Sequence, residues 1–460
     1  MAQKSISERP RQTPVKLTCD VLVCGGGTAG PVAAIAAARN GADTVLVERY
    51  GSLGGAMING ATALHSFFNL YKAFPGAEKK QLVRGIPQEI VDRMAAAGGC
   101  PGHLEQEKGF DYDSIATVFD HEIFKKVIID MLDEAGVRLV LHSLIVDTVK
   151  DGGRVQGVLV ESKSGREAIL AKQTIDCTGD ADVAHHAGVP WKNCSTDRHG
   201  VGLTFGLANV DLNRAADWLE TNGLLWQIVH GKKDNLDDAI VRIGFNGHGI
   251  PALEEYMKPR GMFGPLTVSL HRHELTYVNT LCAFPVDAID TDQLTDAEKE
   301  LRRQIDTVTR LFREHVPGFE NAYVNHTSIQ ACVRRTRILE CDYDLSLDEI
   351  LDATRFDDEV ALYGFHDCAP RMMIKDAGAY GVPYRALLPQ RAEDLQVAGR
   401  MITSDYDAHM STRNTVCCMA LGQASGTAAA LCSANNVSPR RLDVNLLRKK
   451  LVSDGAYLGG

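Results

Sequence analysis

The sequence lacks any uninterrupted apolar run of the roughly 18 residues that a membrane-spanning helix needs. Its N-terminal stretch, MAQKSISERPRQTPVK, is polar and has no apolar centre, so we expect a flexible arm over residues 1–15 and neither a signal peptide nor an anchor. Lys and Arg form no basic stripe, and the formal net charge is -10. These absences argue against membrane and nucleic-acid partners.

The twelve cysteines contain no C-x-x-C pair. Most lie inside apolar runs, as reduced core cysteines do, which favours a cytoplasmic location and argues against iron–sulfur and structural zinc sites. Cys417 and Cys418 are the one adjacent pair. A disulfide between neighbours would be strained, so packing against a cofactor is the favoured interpretation.

A glycine-rich turn carries the clearest functional signal. Leu17–Cys24 is a short apolar run typical of a strand, and an alanine-rich segment typical of a helix follows the glycines. Gly25, Gly27 and Gly30 fit G-x-G-x-x-G, in which the glycines permit the turn, the approach of a pyrophosphate and close packing of helix on strand. Phosphates would then lie at a helix N-terminus, whose free N–H groups attract anions.

An acidic residue follows at the expected spacing. Thr44–Val47 is a second predicted strand, and Glu48 ends it about twenty residues after the glycines, where a carboxylate can accept hydrogen bonds from ribose hydroxyls. The same carboxylate would repel a 2′-phosphate. Strand, small-residue helix and acid together favour dinucleotide binding over an ordinary glycine-rich turn.

Periodicity places further elements along the chain. Apolar spacing and alternation predict two helices, a meander of strands, a charged helix and a C-terminal strand and helix. The predicted ranges are Ile86–Ala97 and Asp120–Ala135 for the helices, Val137–Lys150, Arg154–Lys163 and Ala168–Ala171 for the meander, Gln173–Asp180 for a returning strand, Asp296–His315 for the charged helix and Leu395–Cys432 for the C-terminal unit.

Three separated blocks resemble one family. CGGGTAGPVAA with VLVERYGSLGG, IDCTGDADVAHHAG, and LQVAGRMI with CCMALGQASGTAAA resemble the FAD-dependent oxidoreductases of glutathione-reductase-like fold. A fourth stretch, CVRRTRILECDYDLSLDEILDATRFDDEVA, is similar to the branch related to fumarate-reductase and heterodisulfide-reductase flavin subunits. The resemblance implies an α/β fold: a Rossmann-like FAD-binding domain, with parallel sheet and β-meander, and a second mixed α+β substrate domain.

The same resemblance divides the chain into domains. The FAD-binding domain is expected to be discontinuous, over residues 16–65, 120–199 and 379–460. The substrate or cap domain is expected over residues 66–119 and 200–378.

What the resemblance implies for the cofactor is non-covalent FAD, with a helix start near Asn414 to Cys418 facing the flavin edge that becomes negative on reduction. The predicted FAD-binding residues are Gly25, Gly27, Thr28, Ala29, Gly30, Glu48, Arg49, Gly54, Gly55, Gly179, Asp180, Gly399, Arg400, Cys418 and Gly422. For Asp180 a helix cap is an equal alternative. The family's cluster-binding cysteine motifs are missing from this sequence.

Five residues are candidates for catalysis. Arg334 and Arg335 can clamp a carboxylate or deliver a proton, although pairing of arginines here with Glu340, Asp342 or Asp344 is the commoner arrangement.

The other candidates are histidines. His409 is expected in a loop beside the flavin. His65 is expected within a loop that passes over the cofactor, although a structural role is commoner for such a histidine. His271 can act as a base; it is expected to share a strand face with His273, but no third ligand is evident, so we predict no metal.

These observations predict a dehydrogenase or reductase that transfers a hydride between flavin N5 and a small organic substrate, with an unidentified electron acceptor or oxygen as its second partner. A flavin-dependent monooxygenase and a flavin-bearing electron-relay subunit are the alternatives. The sequence leaves the substrate and a homo-oligomer open.

Overall fold

The computed structural model describes residues 6–60, 65–196 and 200–459. Its strands, numbered along the described chain, are β1 (Val15–Cys24), β2 (Thr44–Val47), β3 (His103–Glu105), β4 (Ile115–Thr117), β5 (Arg138–Val140), β6 (Leu144–Asp151), β7 (Arg154–Ser162), β8 (Gly165–Asp176), β9 (Trp191–Asn193), β10 (Phe205–Ala208), β11 (Leu225–Lys233), β12 (Leu236–Phe245), β13 (Leu266–Val268), β14 (Glu274–Asn279), β15 (Tyr323–Thr327), β16 (Arg337–Leu339), β17 (Glu359–Tyr363), β18 (Tyr380–Pro383) and β19 (Leu395–Val397). Its α-helices are α1 (Gly30–Arg39), α2 (Ile86–Ala96), α3 (His121–Ala135), α4 (Asp182–His186), α5 (Leu212–Thr221), α6 (Pro251–Met257), α7 (Thr291–His315), α8 (Leu347–Leu351), α9 (Tyr406–Thr412), α10 (Thr415–Asn435) and α11 (Val444–Ser453).

The first sheet has seven strands and contains the predicted nucleotide-binding strand β1. Its order is β5-β2-β1-β8-β7-β6, and β19 pairs with β8 outside this path. Strands β5, β2, β1, β8 and β19 run parallel, whereas β6 and β7 join antiparallel. The predicted α/β fold is confirmed.

The predicted meander differs from the observed strands in two places. Val137–Lys150 is two strands, because His142 has φ 53° and the chain turns there between β5 and β6. The segments predicted as Ala168–Ala171 and Gln173–Asp180 form the single strand β8, which pairs with β7 along its first part and with β19 near its end.

Helix α10 packs against α1 over the parallel sheet. A Cβ added at Gly422 would lie 2.3 Å from the carbonyl oxygen of Ala29, and one added at Gly426 would lie 2.1 Å from that of Ala33. The two backbones are therefore as close as glycine allows. Among the described residues α10 is the one helix long and apolar enough to cross a membrane, and 89% of its most apolar window is buried inside the protein.

The second sheet is antiparallel, with the order β11-β12-β13-β14-β10-β15. It packs against α5 and α7, whose apolar residues share one hydrophobic cluster with the sheet. Helix α7 begins at Thr291, earlier than predicted, because Asp290 caps it. His271 and His273 lie in a turn before β14, and His273 has φ 59°, so the predicted shared strand face is wrong.

The buried residues form two large clusters. The first combines residues of the parallel and antiparallel strands of the seven-stranded sheet with residues of α2, α3, β17 and α10. It also includes Phe67 and Phe119 from the segment 66–119, which is expected in the cap. The second belongs to the antiparallel sheet and its helices. The domain boundaries stay a prediction.

We expect Gly426→Ala to lower the free energy of unfolding by about 1–3 kcal/mol, because the new methyl group overlaps the backbone of α1. Urea unfolding of the FAD-loaded protein measures the change. Gly153→Ala is the control, since a Cβ there has no atom within 4 Å. Equal stability of the two variants would contradict the close packing of α1 and α10.

Candidate functional site

A cavity of about 630 Å³ lies where four parallel strands end. Pairing aligns Cys24 of β1 with Val47 of β2 and with Asp176 of β8, and it aligns Val397 of β19 with Asp176. The residue after each strand end lines the cavity: Gly25, Glu48, Cys177 and Ala398. Ligands of open α/β sheets bind in this position, outside the carboxyl ends of the strands.

The glycine-rich turn forms one wall. Gly25 has φ 98°, and a Cβ there would lie 2.6 Å from the carbonyl oxygen of Cys177. A Cβ at Gly30 would lie 1.9 Å from the carbonyl oxygen of Gly25, so this glycine serves the contact of α1 with the turn. Gly27 differs, because a Cβ there would have no protein atom closer than 3.7 Å. The protein itself gives no steric reason for glycine at position 27.

Glu48 is held by the backbone around the turn. Its carboxylate accepts hydrogen bonds from the N–H groups of Gly26 at 2.6 Å and Tyr50 at 2.9 Å. Burial raises the pKa of Glu48 and outweighs these two hydrogen bonds, which lower it. The carboxylate is thus oriented along the cavity wall.

An acidic and basic network forms the opposite wall. Asp180 accepts hydrogen bonds from Thr336 Oγ1 and Arg400 Nη2, both at 2.6 Å. Burial would raise the pKa of Asp180, but the charge of Arg400 and these hydrogen bonds hold it below its usual value. Arg337 donates to the carbonyl of Asp180 and to Asp182. Asp180 caps no helix, and Arg337 pairs with none of the three acids expected for it.

The N-terminus of α10 closes the cavity at one end. Asn414, Thr415 and Cys418 line this end. The Thr415 hydroxyl lies 2.9 Å from Nδ1 of His65, which is 1% exposed and whose ring stacks on Phe119. Burial lowers the pKa of His65 to about 3, so its imidazole is neutral at physiological pH. The histidine lies directly behind the cavity wall.

The comparisons with known proteins identify the family. The model of the FAD dependent oxidoreductase family matches residues 20–451. The chain belongs to this family. FAD is therefore the cofactor, as the resemblance predicted.

Individual relatives of known name match only part of the chain. FixC of Salmonella typhi is 28% identical over 145 residues, which are 30% of this chain and 32% of that protein. Digeranylgeranylglycerophospholipid reductase of Methanoculleus marisnigri is 26% identical over 176 residues, which are 38% of this chain and 42% of that protein. The matches thus span about a third to two fifths of these relatives.

A solved structure of a geranylgeranyl bacteriochlorophyll reductase-like protein from Thermoplasma acidophilum is 15% identical, with a TM-score of 0.47. It covers 95% of this chain and 84% of the other.

The cavity residues fit FAD. Gly27 leaves room on the wall that no protein atom fills, beside the N-terminus of α1, where N–H groups attract phosphate. Glu48 retains lone pairs for ribose hydroxyls, since one backbone N–H donates to each of its two oxygens. The α10 N-terminus supplies partial positive charge at the far end. Among the described residues no group of three or more His, Cys, Asp and Glu is placed to hold a metal ion.

The structure brings most of the predicted FAD-binding residues to one cavity. Those that line it are Gly25, Gly27, Thr28, Ala29, Glu48, Arg49, Gly55, Gly179, Asp180, Gly399, Arg400 and Cys418. Gly30, Gly54 and Gly422 lie behind the wall, where an added Cβ would meet Gly25, Ile58 and Ala29 respectively. Their part in binding stays a prediction.

Of the predicted catalytic residues, Arg334 lines the cavity and His65 lies behind it. Arg335 donates to the Ser404 carbonyl and lies over the ring of Tyr406. His409 lies in α9 rather than in the predicted loop, because Asp405 caps that helix. Its Nε2 donates to the Arg400 carbonyl at 2.8 Å.

His271 lies at the joint between the two sheets. Its Nε2 is 2.8 Å from Asp120 Oδ2 at the start of α3, and its Nδ1 is 3.6 Å from Asp234 Oδ1. The side chain is 47% exposed and does not line the cavity.

Sequence reasoning missed the part of the wall that comes from distant segments. Residues 288–295 and 330–333 reach the cavity from the second sheet's connections, and the Tyr50 hydroxyl hydrogen-bonds to Gln330. No local motif marks these residues, since their position depends on how the two sheets pack. Arg413, beside the predicted helix start, also lines the cavity and pairs with Asp367.

We expect Gly27→Ala to weaken FAD binding by about 1–3 kcal/mol, roughly five- to 150-fold in Kd, because the methyl group enters ligand space. Fluorescence titration of the apoprotein with FAD measures Kd. Gly153→Ala is again the control. Unchanged affinity with unchanged unfolding temperature would contradict the position of the pyrophosphate.

The His271–Asp120 pair should make a pH-dependent contribution to the free energy of unfolding. Burial lowers the pKa of His271. The hydrogen bond to Asp120 and the charge of that carboxylate raise it by a larger amount, so the folded-state pKa lies above the unfolded one. The contribution is therefore complete below the unfolded pKa, about 6.5, and is lost as pH rises through the folded pKa. Urea unfolding should show a larger difference between wild type and His271→Asn at about pH 5.5 than at about pH 8.5. An equal difference at both pH values would contradict the pairing.

Proposed function

We propose that this member of the FAD dependent oxidoreductases is a dehydrogenase or reductase acting on a small organic substrate. The observation that carries the proposal is the continuous cavity from Glu48, at the end of β2, to Thr415, at the start of α10. Its Gly27 wall, carboxylate and helix N-termini match the phosphate, ribose and electron-rich ends of one extended ligand. When bound, FAD supplies hydride chemistry at N5.

The protein contributes orientation and charge. Glu48 holds the ribose, and the N-terminus of α1 binds the pyrophosphate. The N-terminus of α10 stabilises negative charge next to the reacting end. Because Cys418 and Thr415 are uncharged, no side chain of α10's first turn competes with that partial charge.

Arg334 is the candidate for an anionic group of the ligand. It lies on the cavity wall with its guanidinium 5.9 Å from the ring centroid of Phe263. Within the described parts of the chain no carboxylate oxygen lies within 4.0 Å of an Arg334 nitrogen, so the guanidinium forms no ion pair there. A guanidinium without an acidic partner is suited to bind a phosphate or carboxylate.

We also propose a place for this chain near the fumarate-reductase and heterodisulfide-reductase flavin subunits, which the fourth sequence block supports. Free cysteines throughout the chain support a reduced, cytoplasmic location. A small-molecule substrate and a separate electron acceptor or oxygen are the proposed partners, and a homo-oligomer stays open.

The test is anaerobic reduction of the FAD-loaded protein by a panel of small hydroxy acids, enoates and their reduced forms, followed through the oxidised-flavin absorbance. We expect at least one compound to bleach the flavin, or to re-oxidise it after dithionite reduction, with no oxygen present. Substrate hydroxylation that requires oxygen and external reductant would indicate the monooxygenase instead. Bound FAD without turnover by any compound would indicate the electron-relay subunit.

A further inference from the structure

A buried arginine of the second sheet has an unused donor. Arg242 of β12 is 0% exposed, and its Nε and Nη2 donate to Gln227 Oε1 at 3.3 and 3.0 Å. Its Nη1 has no hydrogen-bond partner. In the described chain no carboxylate pairs with it within 4.0 Å. The charge of Asp113 acts on Arg242, but no hydrogen bond joins the two side chains, and a buried charge without full hydrogen bonding is costly to the fold.

The sheet register shows which way Arg242 points. It lies opposite Val229 of β11 and Val268 of β13, and residues directly opposite in antiparallel strands share one face. Val229 packs on Ala116, and Val268 packs on Val118. Arg242 therefore faces the segment that contains β4, on the side of the first sheet.

Two more buried polar groups lie on that segment. The amide of Gln106 is 0% exposed, and neither its nitrogen nor its oxygen has a partner. Gln106 is next to Glu107, whose N–H donates to the carbonyl of Ile228 on β11, beside Gln227. Asp113 is 0% exposed and accepts a hydrogen bond from Ser66. Buried side-chain atoms are rarely left without partners, so these unpaired atoms need an explanation.

The cluster adjoins the cavity through His65. The N–H of His65 donates to the carbonyl of Thr117, which lies between Ala116 and Val118, and its ring reaches Thr415 on the cavity wall. The charge of Arg242 contributes to the low pKa of His65. A group bound by Arg242 would thus be separated from the α10 end of the cavity by the side chain of His65.

We propose that Arg242 and Gln106 bind a carboxylate group of the substrate. A guanidinium N–H and an amide N–H are the donors that a carboxylate takes in a buried site. Burial raises the pKa of Asp113 to about 7, so this carboxyl is substantially protonated at or below neutral pH and opposes the anion less than an ionised one would. The inference rests on the proposed function and makes small carboxylic acids the substrate class.

The test is isothermal titration calorimetry of the FAD-loaded protein with acetate, succinate and benzoate, each against its amide. We expect at least one carboxylate to bind about tenfold or more tightly than its amide, since hydrogen bonds to a charged group exceed those to a neutral one. Gln106→Met keeps the side-chain volume and loses no hydrogen bond of the amide within the protein, so it should fold and weaken carboxylate binding about tenfold. Arg242→Lys should weaken it further.

Thr427→Val is the matched control, because Thr427 also has a buried hydroxyl without a partner, but it lies on α10 away from the cluster. It should leave carboxylate binding unchanged. The proposal is overturned if no carboxylate binds more tightly than its amide, or if Gln106→Met binds carboxylates as the wild type does. Because calorimetry needs no turnover, failure of the anaerobic substrate screen would refute the proposed function alone.

Discussion

The site depends on the register of one parallel sheet. Four strands from distant parts of the chain end level with one another, so the residues that follow them meet at a single edge. A slip of one residue in any of them would turn its side chains to the opposite face and move its terminal loop away from the cavity. Gly25 and Gly30 stabilise this arrangement, because any larger residue would collide with backbone of the turn or of β8's exit.

The second constraint is the burial of charge around the cavity. Asp180, Arg400 and Arg337 neutralise one another through short hydrogen bonds, and Glu48 is held by two backbone N–H groups. Nε of Arg337 and Nε of Arg400 still have no hydrogen-bond partner, so this network does not use all of its donors. Arg242 differs in its charge pairing: Arg400 and Arg337 form ion pairs with Asp180 and Asp182, whereas among the described residues no carboxylate lies within 4.0 Å of Arg242.

The sequence predicts local parts of this site better than distant ones. The G-x-G-x-x-G turn and Glu48 could be placed because strand, turn and helix follow one another within the first 50 residues or so. His271 and His409 were misplaced in their local structure, since a left-handed turn at His273 and a cap at Asp405 outweigh the apparent pattern. Arg242 carries no sequence signal, because a lone arginine in an apolar strand gains meaning only when its opposite face is known.

Strand β8 has a consequence for how the protein is made. It pairs with β1 (Val15–Cys24) and with β19 (Leu395–Val397), which are more than 350 residues apart in the sequence, and α10 follows β19. During synthesis the edge that binds the cofactor lacks its last strand and its second helix N-terminus until β19 and the start of α10 have emerged. Such pairing between distant segments folds slowly. A chain that ends before residue 395 therefore has an incomplete cavity, because Gly399, Arg400 and Cys418, which line it, are missing.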